Sequence, residues 1–204
     1  MAVHGLNTAA IGVGSFACRF LSAACKERNI ADVSVAIDSD AKILREARRF
    51  GISHALHAPL PRKMNKQVFE QAAVSARTAA RDIPEQLDSI CGNASHILLC
   101  VGLGGVFGTA VGTSLLRHLG KTNRRLSSLL LWPGDAPGKN RAPTIAAEVV
   151  AAFASASVSV CIINPGRLGN CITGSHEVTH VFGALQNLLV GHAKDLSSLS
   201  RAVP

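Results

Sequence analysis

The run HEVTH at positions 176–180 places two histidines four residues apart with a glutamate between them. On a helix, His176 and His180 would stack one turn apart and could share a zinc ion, with Glu177 as general base. A second candidate is glycine chemistry. The run GLGGVFGTAVG, residues 102–112, carries Gly102, Gly104, Gly105, Gly108 and Gly112. Glycines let backbone N–H groups wrap an anion, and a helix starting near Thr109 would add its positive dipole end. The third candidate is GVGSFA, residues 12–17, which matches G-x-G-x-x-A, with Asp38 placed to accept from a ribose hydroxyl. Zinc hydrolysis, phosphate binding and dinucleotide binding need different scaffolds, so the surrounding elements must decide.

Short apolar runs alternate with helical patterns. TAAIGV (8–13), VSVAI (33–37), HILLCV (96–101), LSSLLLW (126–132) and VSVCII (158–163) each fit a buried strand. Helical spacing fills residues 15–28, 40–50, 66–83, 109–119 and 143–154, with Pro84 expected to end or bend the third helix. Five strands separated by helices predict an α/β fold: a three-layer open sheet, mostly parallel and Rossmann-like. No repeat or linker divides the chain, so residues 1–204 read as a single domain with no second one. In such sheets ligands bind beyond the carboxyl ends of the strands. The glycine loops GVGS and GLGGVFGTAVG, the IDSD after strand two, PGDAPGKNR after strand four and NPGRLGN after strand five all fall there.

Composition narrows the classes further. The chain has no Tyr and a single Trp, Trp132, so it offers little aromatic platform for single-stranded nucleic acid. Its net charge of +8 is clustered at Arg45, Arg48 and Arg49, at Arg62, Lys63 and Lys66, and at Lys121, Arg124 and Arg125. Such clusters attract anions: a phosphorylated small molecule, an acidic protein or nucleic acid, which the basic charge leaves open as a partner. Six cysteines are scattered without a CxxC pair, and Cys100 and Cys161 read as core residues in a reducing compartment. No run of about 18 apolar residues and no leader pattern is present, so a cytoplasmic protein with no membrane partner is expected. His54 and His57 read as surface histidines, which could join Cys91 or Cys171 only if the fold brought a loop there.

A helical wheel weighs against zinc. Val178, Val181, Phe182, Leu185, Leu188 and Leu189 share an apolar face, and His176 and His180 lie nearly opposite. The extended zinc-peptidase pattern wants His at position 186 and finds Gln186; only His192 and Asp195 follow. No structural zinc is expected, and a zinc peptidase is the weakest of the three readings.

The glycine loop resembles the GGGTGTG signature of the FtsZ/tubulin family. In the same order AAIGVGS resembles that family's first strand and phosphate loop, and VAIDSDAKIL its second strand. WPGDAPGKNR is similar to P-F-x-F-E-G-x-x-R, which places Arg141 at the family's arginine, and IINPGRL to I-P-N-x-R-L, which places Asn164 and Arg167. On the helix that follows, the resemblance sets Phe182 and Gln186 where the family contacts guanine. It implies a GTPase-domain type of fold with GTP or GDP bound by Gly12, Gly14, Asp38, Gly102, Gly104, Gly105, Gly108, Thr109, Arg141, Asn164, Arg167, Phe182 and Gln186. Mg2+ would enter only with the nucleotide. A protein partner or self-association is implied as well.

Several positions depart from that pattern. Val106 and Phe107 stand for a Gly and a phosphate-contacting Thr, and Ser15, Phe16, Ala17 and Cys18 for a run of glycines, where side chains would crowd the phosphates. The third loop is represented only by HAPLPRKMNKQ, residues 57–67. The family's second domain, with its catalytic carboxylates, would follow residue 204. The expectation is therefore an assembly or regulatory module that binds a guanine nucleotide weakly or degenerately, with no catalytic residues and no autonomous GTPase activity. The alternative is an NAD(P)-dependent oxidoreductase using GVGSFA and Asp38.

Overall fold

A computed structural model of the protein describes residues 7–27, 30–61, 69–132, 149–155 and 159–163. Along the chain run β1 (Thr8–Val13), α1 (Ser15–Glu27), β2 (Val33–Asp38), α2 (Ala41–Arg49), β3 (His54–His57), α3 (Phe69–Ala79), α4 (Ile83–Ile90), β4 (His96–Gly102), α5 (Val106–Leu119), β5 (Arg125–Leu131) and β6 (Ser159–Ile163). Residues 149–155 are also helical. The strands form one six-stranded sheet in the order β3-β2-β1-β4-β5-β6. Every neighbouring pair is parallel.

Parallel strands need crossovers, and the crossover helices cover both faces, which is why the strands read as unbroken apolar runs. On one face Ile43, Leu44 and Ala47 of α2 pack with Cys18 and Leu21 of α1 over Ala10 and Ala36. On the other, Ala73 and Ala76 of α3, Leu87 of α4 and Val111, Leu115 and Leu116 of α5 cover Ile11, Val35, Ile97 and Leu99. Alanine lets α3 and α5 approach closely.

The open parallel α/β sheet is as expected, and three details need correction. A sixth strand, β3, joins the five expected: in its pattern HALH, exposed His54 and His57 flank half-buried Ala55 and Leu56 instead of forming an apolar run. Both histidines of this strand are exposed, as surface histidines would be. The third helical pattern divides at residues 80–82, and Pro84 begins α4 at its first turn, where the missing N–H costs nothing. Helix α5 starts at Val106, so Gly108 and Thr109 lie inside its first turn.

Candidate functional site

The strand order reverses between β1 and β4, and an open parallel sheet leaves a crevice beyond the carboxyl ends of the strands at that point. Two strand-to-helix turns face each other there. In the first, Gly14 adopts φ +86°, a conformation that side chains disfavour, and its N–H donates to Ile37 O at 3.0 Å. Its carbonyl accepts from Cys18 N at 2.9 Å, so the amides of Ser15, Phe16 and Ala17 precede the first bond of α1.

Asp38 closes this turn from the end of β2. Its carboxylate is 1% exposed, accepting from Ser15 Oγ at 2.9 Å and from the Asp40 N–H at 2.8 Å. Cys18 lies beneath, its thiol directed at the carbonyls of Gly12 (3.4 Å) and Ile37 (3.5 Å). Burial, and then the nearby Asp38 charge, push that thiol up to about 12. Cys18 therefore does not crowd the crevice as expected: with Ala17 it points into the protein, and Phe16 alone of that run presses a ring toward the opening.

The second turn is built on backbone contact. Gly104 takes φ +86° and Gly105 is the extended N-cap of α5. A methyl group on Gly108 would overlap the Gly102 carbonyl oxygen, and one on Gly14 would reach Gly108 Cα at 3.0 Å. The two turns thus touch through glycines that could be nothing else. Gly105 has open space beside it. Thr109 is 2% exposed, and its hydroxyl accepts from the Gly104 N–H at 3.2 Å.

Between the turns lies a cavity of about 390 Å³. Two helix N-termini converge on it, with the amides of Val106 and Phe107 ahead of the first α5 bond, Thr109 N to Gly105 O. The remaining walls are Phe16, Leu60, Leu103, Val106 and Phe107, with Asp38 and Ser39 on the β2 side. None of the described lining residues is a cation. Among the described residues the open amides near Gly105 favour an anion, while the rings of Phe16 and Phe107 add no donors and the buried Asp38 carboxylate opposes negative charge.

Of the expected site residues, the structure gathers Gly14, Asp38, Gly102, Gly105 and Gly108 around the cavity. Gly12 lies within β1, while Gly104 and Thr109 hold the second turn together without lining the opening. Arg141, Asn164, Arg167, Phe182 and Gln186 lie outside the described residues, as do Arg62, Lys63 and Lys66 and the HEVTH run. Sequence reasoning missed Ser15 as the partner of Asp38, and also Ser39 and Leu60. G-x-G-S with an Asp ending the next strand carries a signal for the first; Leu60 follows the unanticipated β3 and carries none. Among the described residues no three His, Cys, Asp or Glu side chains form a metal-binding group, and no helix is long and apolar enough to cross a membrane.

Solved structures share this fold. CetZ from Methanosaeta thermophila matches over 95% of this chain and 54% of its own, at 17% identity and a TM-score of 0.72. A GTPγS-bound protofilament of CetZ2 from Haloferax volcanii matches over 97% and 60%, at 16% identity and a TM-score of 0.68. An empty FtsZ dimer from M. jannaschii matches over 96% and 55%, at 15% identity and a TM-score of 0.66. The chain spans just over half the length of each of these. No family model and no curated relative matches the chain.

Proposed function

For a chain whose fold is that of the FtsZ/tubulin GTPase domain, we propose a module that binds a guanine nucleotide weakly and works through association with other protein chains, without turning over GTP by itself. The observation that carries this reading is the mixed character of the cavity. Two helix N-termini aim amides into it, as anion binding requires, yet Phe16, Leu103 and Phe107 occupy its walls and Gly14 closes against Gly108. When bound, the nucleotide would bring the phosphate charge that those amides neutralise. The chain supplies the amides near Gly105, a polar flank at Ser15 and Ser39, and an apolar wall that excludes water.

Hydrolysis would need a group that activates water. Asp38 is the one carboxylate lining the cavity among the described residues, and both of its oxygens already accept hydrogen bonds. Losing one aligned donor to a transition state can cost about 3–4 kcal/mol, and the rings stand where donors are wanted. Self-association is supported by the CetZ2 neighbour, itself a protofilament.

A second reading has its own observation. Asp38 ends β2 beside Gly12-x-Gly14-x-x-Ala17, the place where a dinucleotide-binding sheet holds a ribose acceptor. Calorimetric titration with GDP, GTP and NAD separates the two, alongside a phosphate-release assay over a range of protein concentrations. Weak guanine-nucleotide binding without turnover is expected. NAD binding abolished by Asp38→Ala, with no response to GDP or GTP, would establish the dinucleotide reading. GTP hydrolysis that climbs with protein concentration, with filaments visible by electron microscopy, would overturn the claim of no turnover.

A further inference from the structure

The two faces of the sheet differ sharply in charge, independently of the cavity. On the α1–α2 face, Arg19 and Lys26 share one exposed stripe of α1, and Lys42, Arg45 and Arg49 an exposed stripe of α2, with exposed Arg48 beside them. The acids on those helices and their cap are Glu27, Asp40 and Glu46, three against six cations. On the opposite face, α3 to α5 carry Arg77 and Arg117 against Glu70, Glu85 and Asp88. The ion pairs among the described residues, Arg81–Asp82, His118–Asp88 and Arg124–Asp88, also belong to that second face. Among the described residues no ion pair forms on the α1–α2 face, where Arg48 Nη1 donates to the Ser53 carbonyl at 3.0 Å.

Helix stability does not account for the accumulation. Cations in a last turn complement the helix dipole, which covers Lys26, Arg48 and Arg49. Lys42 sits in the first turn of α2, where a positive charge is disfavoured, and neither helix has an acid in its first turn. Arg19 and Arg45 lie mid-helix.

We propose that the α1–α2 face is a docking surface for the phosphate backbone of duplex nucleic acid, read without regard to sequence. Seven residues of helix span about 10 Å and packed helices lie about 8–10 Å apart, so the two stripes form a compact rigid grid of cations. Duplex DNA presents about one charge per 1.7 Å of axis and rewards such a grid by counterion release. Four of the six cations are arginines, whose planar forks match phosphate oxygens. Neither helix carries an Asn or Gln to read base edges. An anionic bilayer suits the face less well. The exposed aromatic at its lower end, Phe50, has Lys26 Nζ 5.5 Å from its ring centroid, so it is not a free apolar anchor.

The test is fluorescence anisotropy with a labelled 30-base-pair duplex, run over a salt series beside flotation with phosphatidylserine vesicles. Binding should weaken with salt at a log–log slope of about −4 to −5, as about five phosphate contacts require. Arg45→Gln with Arg49→Gln should lower the slope by about 2 and weaken binding at least about tenfold. Arg77→Gln with Arg117→Gln removes the same charge from the other face and should change affinity less than about twofold; circular dichroism checks that each variant folds. Equal losses in both pairs would show a net-charge effect and overturn the proposal. So would vesicle binding without duplex binding, or an unchanged affinity in the α2 pair.

Discussion

The two ends of the sheet are built from different materials. At the carboxyl ends of β1 and β4 the contacts run between backbones: Gly14 against Gly108, and Gly108 against the Gly102 carbonyl. At the amino ends side-chain pairs join backbone bonds such as Arg125 N to Ser95 O at 3.0 Å. His96 Nε2 meets Ser127 Oγ at 2.9 Å, and Asp88 takes His118 at 2.8 Å and Arg124 at 3.5 Å. A side-chain pair can be exchanged one member at a time at a cost near its own worth. A backbone-on-backbone contact has no spare atoms to remove and admits none. The end that holds the cavity should therefore tolerate substitution least, and the end far from it most.

The comparison breaks most easily at Gly108. Gly108→Ala should destabilise the fold by about 3 kcal/mol, since overpacking against backbone cannot be relieved by a rotamer change. Gly105→Ala, with open space beside it, should cost less than about 1 kcal/mol. Urea denaturation of the two variants measures the contrast, and equal losses would mean that the turns are not in contact. Next in size is the cavity wall. Phe16 is 42% exposed, so Phe16→Ala should leave stability within about 0.5 kcal/mol. It should also tighten GDP binding by about tenfold, or about 1.4 kcal/mol, as read by calorimetry. No gain in affinity would show that the ring is not what limits the site.

At the other end the effects shrink. Asp88→Ala should cost about 1 kcal/mol in thermal denaturation, because its carboxylate is partly exposed and solvent screens both pairs. The smallest effect is a pH dependence at His96. Burial, and then Arg125, lower its pKa from the usual 6.5, so the folded state disfavours the protonated ring. The unfolded chain then binds more protons, and stability should fall as pH drops below about 6.5. His96→Gln should flatten that decline in denaturation curves taken between pH 5 and pH 8. A steeper decline in the variant would reverse the assignment.

Much of this was legible in the sequence for a simple reason. Buried parallel strands must be apolar on both faces, so β1, β2, β4, β5 and β6 stand out, and their loops locate the crevice. The unread parts are places where tertiary contact overrides local pattern. HALH has neither an apolar run nor a β-branched residue, and becomes a strand because Val35 to Asp38 offer it an edge. Gly105 and Gly108 look like loop because glycine is a poor helix former. Gly105 instead caps α5, and Gly108 lies in its first turn because no other residue leaves room for the Gly102 carbonyl. Cys18 looked like an obstacle to phosphate from its position alone; its direction depends on the packing of α1 on the sheet, which no local pattern contains. Ser15 bonds Asp38 across 23 positions, a pairing that only the crossover brings about.

The placement of β4 beside β1 also governs how the molecule can form. β1 first meets β2, its neighbour in sequence, but its other edge stays open until His96–Gly102 has been made. During synthesis at about 5–20 residues per second, that edge and its apolar face wait several seconds for the strand that covers them. Pairings between such distant segments are slow to close, since the loop entropy comes due before the contacts repay it. The cavity shares this timing, because its two turns belong to β1 and β4. Any binding that depends on both turns therefore waits for β4 and the start of α5, and a partner that recognises the crevice distinguishes chains that have paired β1 with β4 from those that have not.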